Sequence, residues 1–265
     1  MTGEPQHTAM PPDTTDDAFL GGTLNILQPA RGHRSGLDAV LLAASVAAGE
    51  GESVLDLGCG AGVAGLCLLV RVPDSHALLL DRDEAMLALA NSNIARNGFA
   101  GRARAVRFDI EGRGGVAAAG IAQGTVDHVL ANPPFFDAAG IRATPDEAKR
   151  SAHVAGNVAA LSRADSLARW ASFAAGALRK SGTFTLIHRA DALADILPAL
   201  AGRFGAIAVT PIHPRPDVGA IRVVVRATKA SRAPLTIRAG IVLHPPSGEA
   251  FEPHIDAVLR GPLAL

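Results

Sequence analysis

The chain has 265 residues, 48% hydrophobic and 19% charged, with 25 basic side chains balancing 25 acidic ones; this is the composition of a globular domain long enough to bury a core. A formal charge of zero argues against a strongly basic coat for nucleic acid, two cysteines are too few for a disulfide framework or a cysteine zinc site, and the longest nearly apolar run, Ala39 to Ala48, is broken by Ser45 and falls short of the roughly 20 residues of a membrane span. The first 30 residues contain no Lys or Arg, so no secretory leader is expected, and the expected compartment is the cytoplasm, with Cys59 and Cys67 reduced and packed as small apolar residues.

Residues 1–18, rich in Pro, Thr and Asp without an apolar period, read as a disordered leader. Residues 19–52 predict a β-hairpin around Gly21-Gly22, between Phe19 and Gln28. A polar, basic turn then leads into a helix from about Leu37 to Ala48, with Asp38 charging its start. Ser53-Val54-Leu55 reads as a buried strand running into Asp56-Leu57-Gly58-Cys59-Gly60-Ala61-Gly62. Glycines at alternate positions let backbone turn tightly and approach a ligand, as a nucleotide-binding first turn requires. Gly60 to Gly65 fits the dinucleotide pattern G-x-G-x-x-G, with Asp81 where a ribose-binding acid belongs. Asp56, a carboxylate at the mouth of the loop, points elsewhere: it repels a pyrophosphate and attracts the ammonium and sulfonium of S-adenosylmethionine. The methyl donor is therefore the favoured ligand.

Downstream, a buried helix from Val63 to Val70 precedes a strand from His76 to Asp81, whose terminal carboxylate is suited to accept from both ribose hydroxyls. A helix opens at Asp83 and stops at Gly98, and a third strand, Ala103 to Phe108, ends at Asp109, a candidate acceptor for the adenine amino group of the cofactor. Residues 111–125 read as a loop or short helix. The next strand, from Val126, runs directly into Asn132-Pro133-Pro134-Phe135, where the prolines stiffen an extended backbone. Asp137 to about Gly156 predicts an exposed loop carrying Lys149 and Arg150. A helix follows, with Trp170 in the core, closed by Arg179-Lys180 and Gly182. Then come a strand to His188, a helix from Ala190 to about Ala201, an antiparallel pair over Ile207–His213 and Ala220–Arg226, a hairpin over Ile241 to His244 and a short final helix. Residues 53–228 thus form the expected cofactor-binding catalytic domain, and 229–265 an extension.

Strands alternating with helices imply a doubly wound α/β sheet with its ligand at the carboxyl ends of the strands. Both the glycine loop and Asn132 to Phe135 lie at such ends, facing one crevice if the first and fourth strands are neighbours. An amino group on an aromatic base is a poor nucleophile because its lone pair is delocalised. Accepting its hydrogens on the Asn132 side-chain oxygen and the Pro133 carbonyl favours the pyramidal nitrogen of the transition state. Phe135 is placed to stack on the base.

These residues resemble class I S-adenosylmethionine-dependent methyltransferases of the small-domain group, a Rossmann-like fold with a seven-stranded, mostly parallel sheet and one antiparallel strand. Gln28-Pro29 with Gly32-x-Arg34-x-x-x-Asp38-Ala39-Val40-Leu41-Leu42-Ala43 is similar to the opening segment of the bacterial tRNA(Val) adenine-N6 methyltransferases, as are His213-Pro214-Arg215-Pro216 and Leu243-His244. That resemblance implies methyl transfer to an adenine N6 beside the anticodon. It also implies S-adenosylmethionine as cofactor, held by Asp56, Gly58, Cys59, Gly60, Gly62, Asp81 and Asp109, and a tRNA partner, with no metal and no membrane; a monomer is compatible with it. Arg31, Arg34, Lys149, Arg150 and Arg215 are the candidate phosphate contacts. Residues 202–265 hold eight basic against four acidic side chains, a local excess compatible with RNA. Phe135 stands where tyrosine is frequent in adenine-modifying relatives, and the chain has no Tyr. Guanine-N2 rRNA methyltransferases and protein glutamine methyltransferases on the same fold are therefore alternatives; a nucleotide-dependent dehydrogenase or a non-catalytic binding module would be a different class altogether.

Overall fold

A computed structural model describes residues 13–32, 34–112, 114–135 and 161–265. Its centre is one sheet in which β3 (Ser53–Leu57) pairs in parallel with β4 (His76–Asp81) on one side and β6 (Val126–Ala131) on the other. β5 (Ala103–Arg107) extends the β4 side. On the β6 side follow β7 (Leu178–Arg189), β9 (Arg222–Lys229) and β8 (Phe204–His213). Only β9 runs against its neighbours in this seven-stranded core. Chain order reverses at β3, so the crevice beyond its carboxyl end is the topological switch point.

Such a sheet is covered on both faces, which explains the continuous apolar runs of its strands. Leu41 and Leu42 of α1 (Leu37–Ser45), Leu66 and Leu68 of α2 (Val63–Arg71), and Ala90 and Ile94 of α3 (Glu84–Arg96) pack one face. Trp170 and Phe173 of α4 (Arg163–Ala177), with Ile196 and Leu200 of α5 (Leu193–Leu200), pack the other.

Three sequence expectations are corrected. The leader assigned to 1–18 is cut short by β1 (Thr14–Phe19), which pairs antiparallel with β2 (Leu24–Pro29). The hairpin therefore starts earlier than expected, in a stretch whose strand character is masked by acids. Asp16 bonds Arg96 and Asp17 bonds Arg34 and Gln28, so these acids tie down β1 while Leu24 and Ile26 of β2 pack into the core. The expected hairpin over Ile241 to His244 is instead two short strands, β10 (Thr236–Ile237) and β11 (Ile241–Val242), each parallel to β8; they bring the sheet to nine strands. The helix expected to close at Arg179-Lys180 ends at Ala177, and both residues begin β7. The final helix is α6 (Pro253–Arg260). Among the described residues no helix is long and apolar enough to cross a membrane.

The free edge of β2 is closed by one side chain of α3, Asn93, and by Asn97, the residue that caps its C-terminus. Asn97 accepts from the Asn25 N–H at 3.0 Å and donates to the Asn25 carbonyl at 2.8 Å. Asn93 treats Leu27 the same way, at 2.8 and 3.0 Å, and donates again to the Ala61 carbonyl at 2.9 Å. Four helical residues rise about 6 Å and two strand residues about 6.6 Å, so amides one helical turn apart imitate a neighbouring strand. Asn93 is completely buried and joins the hairpin to the glycine loop. We expect Asn93→Ala, which strands backbone groups of Leu27 and Ala61, to cost about 2–4 kcal/mol, and the partly exposed Asn97→Ala distinctly less; thermal or urea unfolding checks both, and equal losses would contradict this ranking.

Candidate cofactor and acceptor site

The loop after β3 turns on glycines that no other residue replaces without strain. Gly58 has φ +65°, and a Cβ there would stand 2.5 Å from Cη2 of Trp170. Gly60 also has positive φ, +54°, but a Cβ on it would meet nothing within 4 Å, so bare backbone faces open space. Its N–H donates to Oδ2 of Asp81 at 2.8 Å, and the other Asp81 oxygen accepts from the Asp83 N–H at 2.9 Å. Cys59 is buried and its N–H donates to the Leu80 carbonyl at 2.9 Å, while Gly62 is the residue before α2. Asp109 is exposed one residue past the Phe108 N–H that bonds the Asp81 carbonyl; its Oδ1 accepts from the Glu111 N–H at 3.0 Å. Asp56, Asp81 and Asp109 therefore occupy or follow the carboxyl ends of three adjacent strands.

Asp56 is not at the mouth of the loop, as expected, but beneath it. It is 2% exposed, and Oδ2 accepts from the Gly65 N–H at 2.9 Å. Burial raises its carboxyl to about 7, with the Asp81 charge pushing the same way and the Gly65 bond opposing. The loop is thus shaped by Asp56 from below and presents glycine backbone above.

The acceptor side lies on the neighbouring strand. Leu57 pairs with Ala131, so Gly58 and Asn132 leave adjacent strands at the same level. Asn132 carries a buried Oδ1 with no hydrogen-bond partner among the described residues. Pro133 is buried and lines an apolar gap with Trp170, Leu167 and Leu186, while Pro134 is exposed. One indole thus supports both the glycine turn and the Asn-Pro-Pro turn, which adds a supporting role to its expected place in the core.

Sequence reasoning missed what surrounds Phe135. Its ring, 36% exposed, meets the His188 imidazole edge-on with centroids 4.9 Å apart. The Arg222 guanidinium lies 4.9 Å from the Phe135 centroid and donates through Nε to Asp38 at 2.9 Å. Asp38 in the opening motif therefore reaches the acceptor site through Arg222, 184 residues away, a pairing that spacing along the chain does not reveal. His188 is 1% exposed; burial, with the charges of Arg163 and Arg222, lowers its imidazole to about 4.

The candidate phosphate contacts divide. Arg31 is exposed. Arg34 is partly exposed but bonded to Asp17 at 2.6 Å. Arg215 donates to the carbonyls of Pro245 and Gly248, both at 2.7 Å, so it braces the C-terminal segment instead of standing free for a phosphate. Lys149, Arg150 and the expected loop from Asp137 to Gly156 lie outside the described residues.

Comparison with known proteins agrees with this geometry. The methyltransferase small domain family matches residues 36–156, from the start of α1 through both motifs. A tRNA1(Val) (adenine(37)-N6)-methyltransferase of Bacteroides thetaiotaomicron is 28% identical over 67% of this chain and 68% of its own length. A ribosomal RNA large subunit methyltransferase G of Streptomyces coelicolor is 39% identical over 34% of this chain, but the match spans only 22% of that protein. Among solved structures, a protein from Agrobacterium tumefaciens described as a predicted O-methyltransferase superposes with a TM-score of 0.70 at 30% identity, over 86% of this chain and 98% of its own. By these matches the chain belongs to the S-adenosylmethionine-dependent methyltransferases of the small-domain family.

Proposed function

We propose that this chain transfers the methyl group of S-adenosylmethionine to the exocyclic N6 of an adenine in tRNA, next to the anticodon. The observation that carries the reading is the buried Oδ1 of Asn132, without a partner among the described residues, on the strand next to the one that runs into the glycine loop. A buried acceptor without a donor is costly, and such groups are rare unless a ligand completes them. The tRNA target draws support from the relative that matches over two thirds of both chains.

Bound S-adenosylmethionine supplies an electrophilic methyl group on its sulfonium. The bare backbone at Gly60 and the carboxylates of Asp81 and Asp109 fit its nucleoside. Asn132 Oδ1 and the Pro133 carbonyl accept the two hydrogens of the target amine, drawing its lone pair out of the ring and toward the donor. Phe135 stacks on the base and limits its approach. No strong base is needed, because the methylated nitrogen is cationic and loses its proton to water. Arg31, Lys149 and Arg150 are the proposed phosphate contacts, and Arg34 and Arg215 act by bracing the segments that carry them.

A second reading, guanine N2 in ribosomal RNA, is favoured by one observation, that the aromatic of the motif is Phe135 in a chain with no Tyr. Nucleoside mass spectrometry of fractionated RNA from cells lacking the protein separates the two. Loss of N6-methyladenosine from tRNA is expected, whereas loss of N2-methylguanosine from rRNA with tRNA unchanged would overturn the adenine assignment.

Two variants probe the roles directly. Asn132→Ala is expected to lower methyl transfer on the order of 10²–10³-fold, as removal of a preorganised transition-state partner does, with S-adenosylmethionine affinity within about threefold; transfer at the wild-type rate would remove Asn132 from the reaction. Below about pH 7 the buried Asp56 carboxyl is protonated and neutral, and above it is charged. A cationic ligand favours the charged form, so affinity for S-adenosylmethionine should rise severalfold between pH 6 and 7.5, by linkage. Calorimetric titration of wild type and Asp56→Asn tests this, and an equally steep profile in the variant would assign the pH dependence to another group.

A further inference from the structure

His188 holds a hydrogen-bond donor that no described residue satisfies. Its Nδ1 lies 2.9 Å from the Arg189 N–H and accepts from it, which leaves the ring proton on Nε2. That Nε2 is buried and has no partner among the described residues. Asn132 Oδ1, buried and unpartnered in the same way, lies one residue past Ala131, and His188 lies two residues past Leu186, the strand partner of Ala131. Phe135, which rests edge-on against the imidazole, is only three residues from Asn132. One unused acceptor and one unused donor therefore stand near the ends of adjacent strands, the donor ring against the aromatic assigned to the base.

Resting on the proposed methyl transfer to adenine, we propose that His188 is a specificity-determining residue: when the target base takes the place of the imidazole contact with Phe135, Nε2–H donates to the ring nitrogen beside the amino group. Adenine offers N1 next to N6, an acceptor and a donor joined by one carbon, which complements the pair formed by His188 and Asn132. An amino group without a neighbouring lone pair leaves the histidine proton buried and unmatched, and is rejected for that reason. The low basicity of His188 keeps the ring neutral at physiological pH, so the contact is a neutral donor and adds no charge opposite the methyl cation. Asp38 and Arg222 complete the arrangement. The Arg222 guanidinium over Phe135 fixes one face of that ring, and Asp38 holds the guanidinium there.

The test uses synthetic anticodon stem-loops carrying adenosine or 1-deazaadenosine at the target position, with wild type and with His188→Phe, which keeps a ring against Phe135 but removes the donor. Wild type is expected to lose at least tenfold in kcat/KM on the deaza substrate, and His188→Phe to treat the two substrates alike at the lower rate. A wild-type enzyme indifferent to the substitution, or a variant that discriminates as well as wild type, overturns the proposal while leaving methyl transfer standing. If neither stem-loop is methylated, the tRNA reading fails, and a second measurement addresses His188 alone. In protein labelled with 15N-histidine, the Nε2–H resonance should move on addition of adenosine but not 1-deazaadenosine. A signal indifferent to adenosine overturns the contact; a response to guanosine but not adenosine moves the contact to guanine N3 and overturns the adenine assignment.

Discussion

The pairing of β3 with β6 is the constraint on which the site depends. Because Leu57 and Ala131 share a register, the glycine turn and the Asn-Pro-Pro turn leave the sheet side by side, at the point where chain order reverses. Trp170 makes that placement rigid. Its indole fills the space a side chain at Gly58 would need and lines the gap beneath Pro133, so the two turns rest on one floor. The two turns are thereby held side by side, which is what the proposed transfer, a reaction with short reach, requires.

The site also concentrates polar groups held at a disadvantage. A carboxyl at about 7 under the glycine loop, and an asparagine oxygen and an imidazole nitrogen with no partner among the described residues, all lie at or near the carboxyl ends of the central strands. Burying such groups unpaired is costly, and in the proposed reaction a bound partner relieves them. Elsewhere polar groups are spent on holding elements together: the Asn93 and Asn97 amides close the edge of β2, and Asp16 and Asp17 tie β1 to α3 and to the turn before α1.

Much of this was legible in the sequence because local chemistry dictates it. Alternate glycines after an apolar strand, Asp81 at the end of the next, and a strand ending in Asn-Pro-Pro each carry their meaning within a few residues. What escaped was set by distant contacts or by contacts that do not follow hydrophobic pattern. Thr14 to Phe19 pairs as a strand through acids whose partners lie up to 80 residues on. Arg222 and His188 are unremarkable in β-rich runs until the sheet brings them to Phe135. Asp56 was recognised, but its depth was not, since burial depends on how Gly65 and α2 close over it. Arg215 reads as a free basic residue in a proline-rich turn and is instead committed to the backbone of the C-terminal segment.

In the proposed reaction, donor and acceptor meet in one crevice between the ends of β3 and β6. A crystal structure with S-adenosylhomocysteine tests it most directly. The account predicts the nucleoside over Gly60 with Asp81 at its ribose and the sulfur facing Asn132. Density for the ligand in another hollow, or with its sulfur turned away from Asn132, would contradict it.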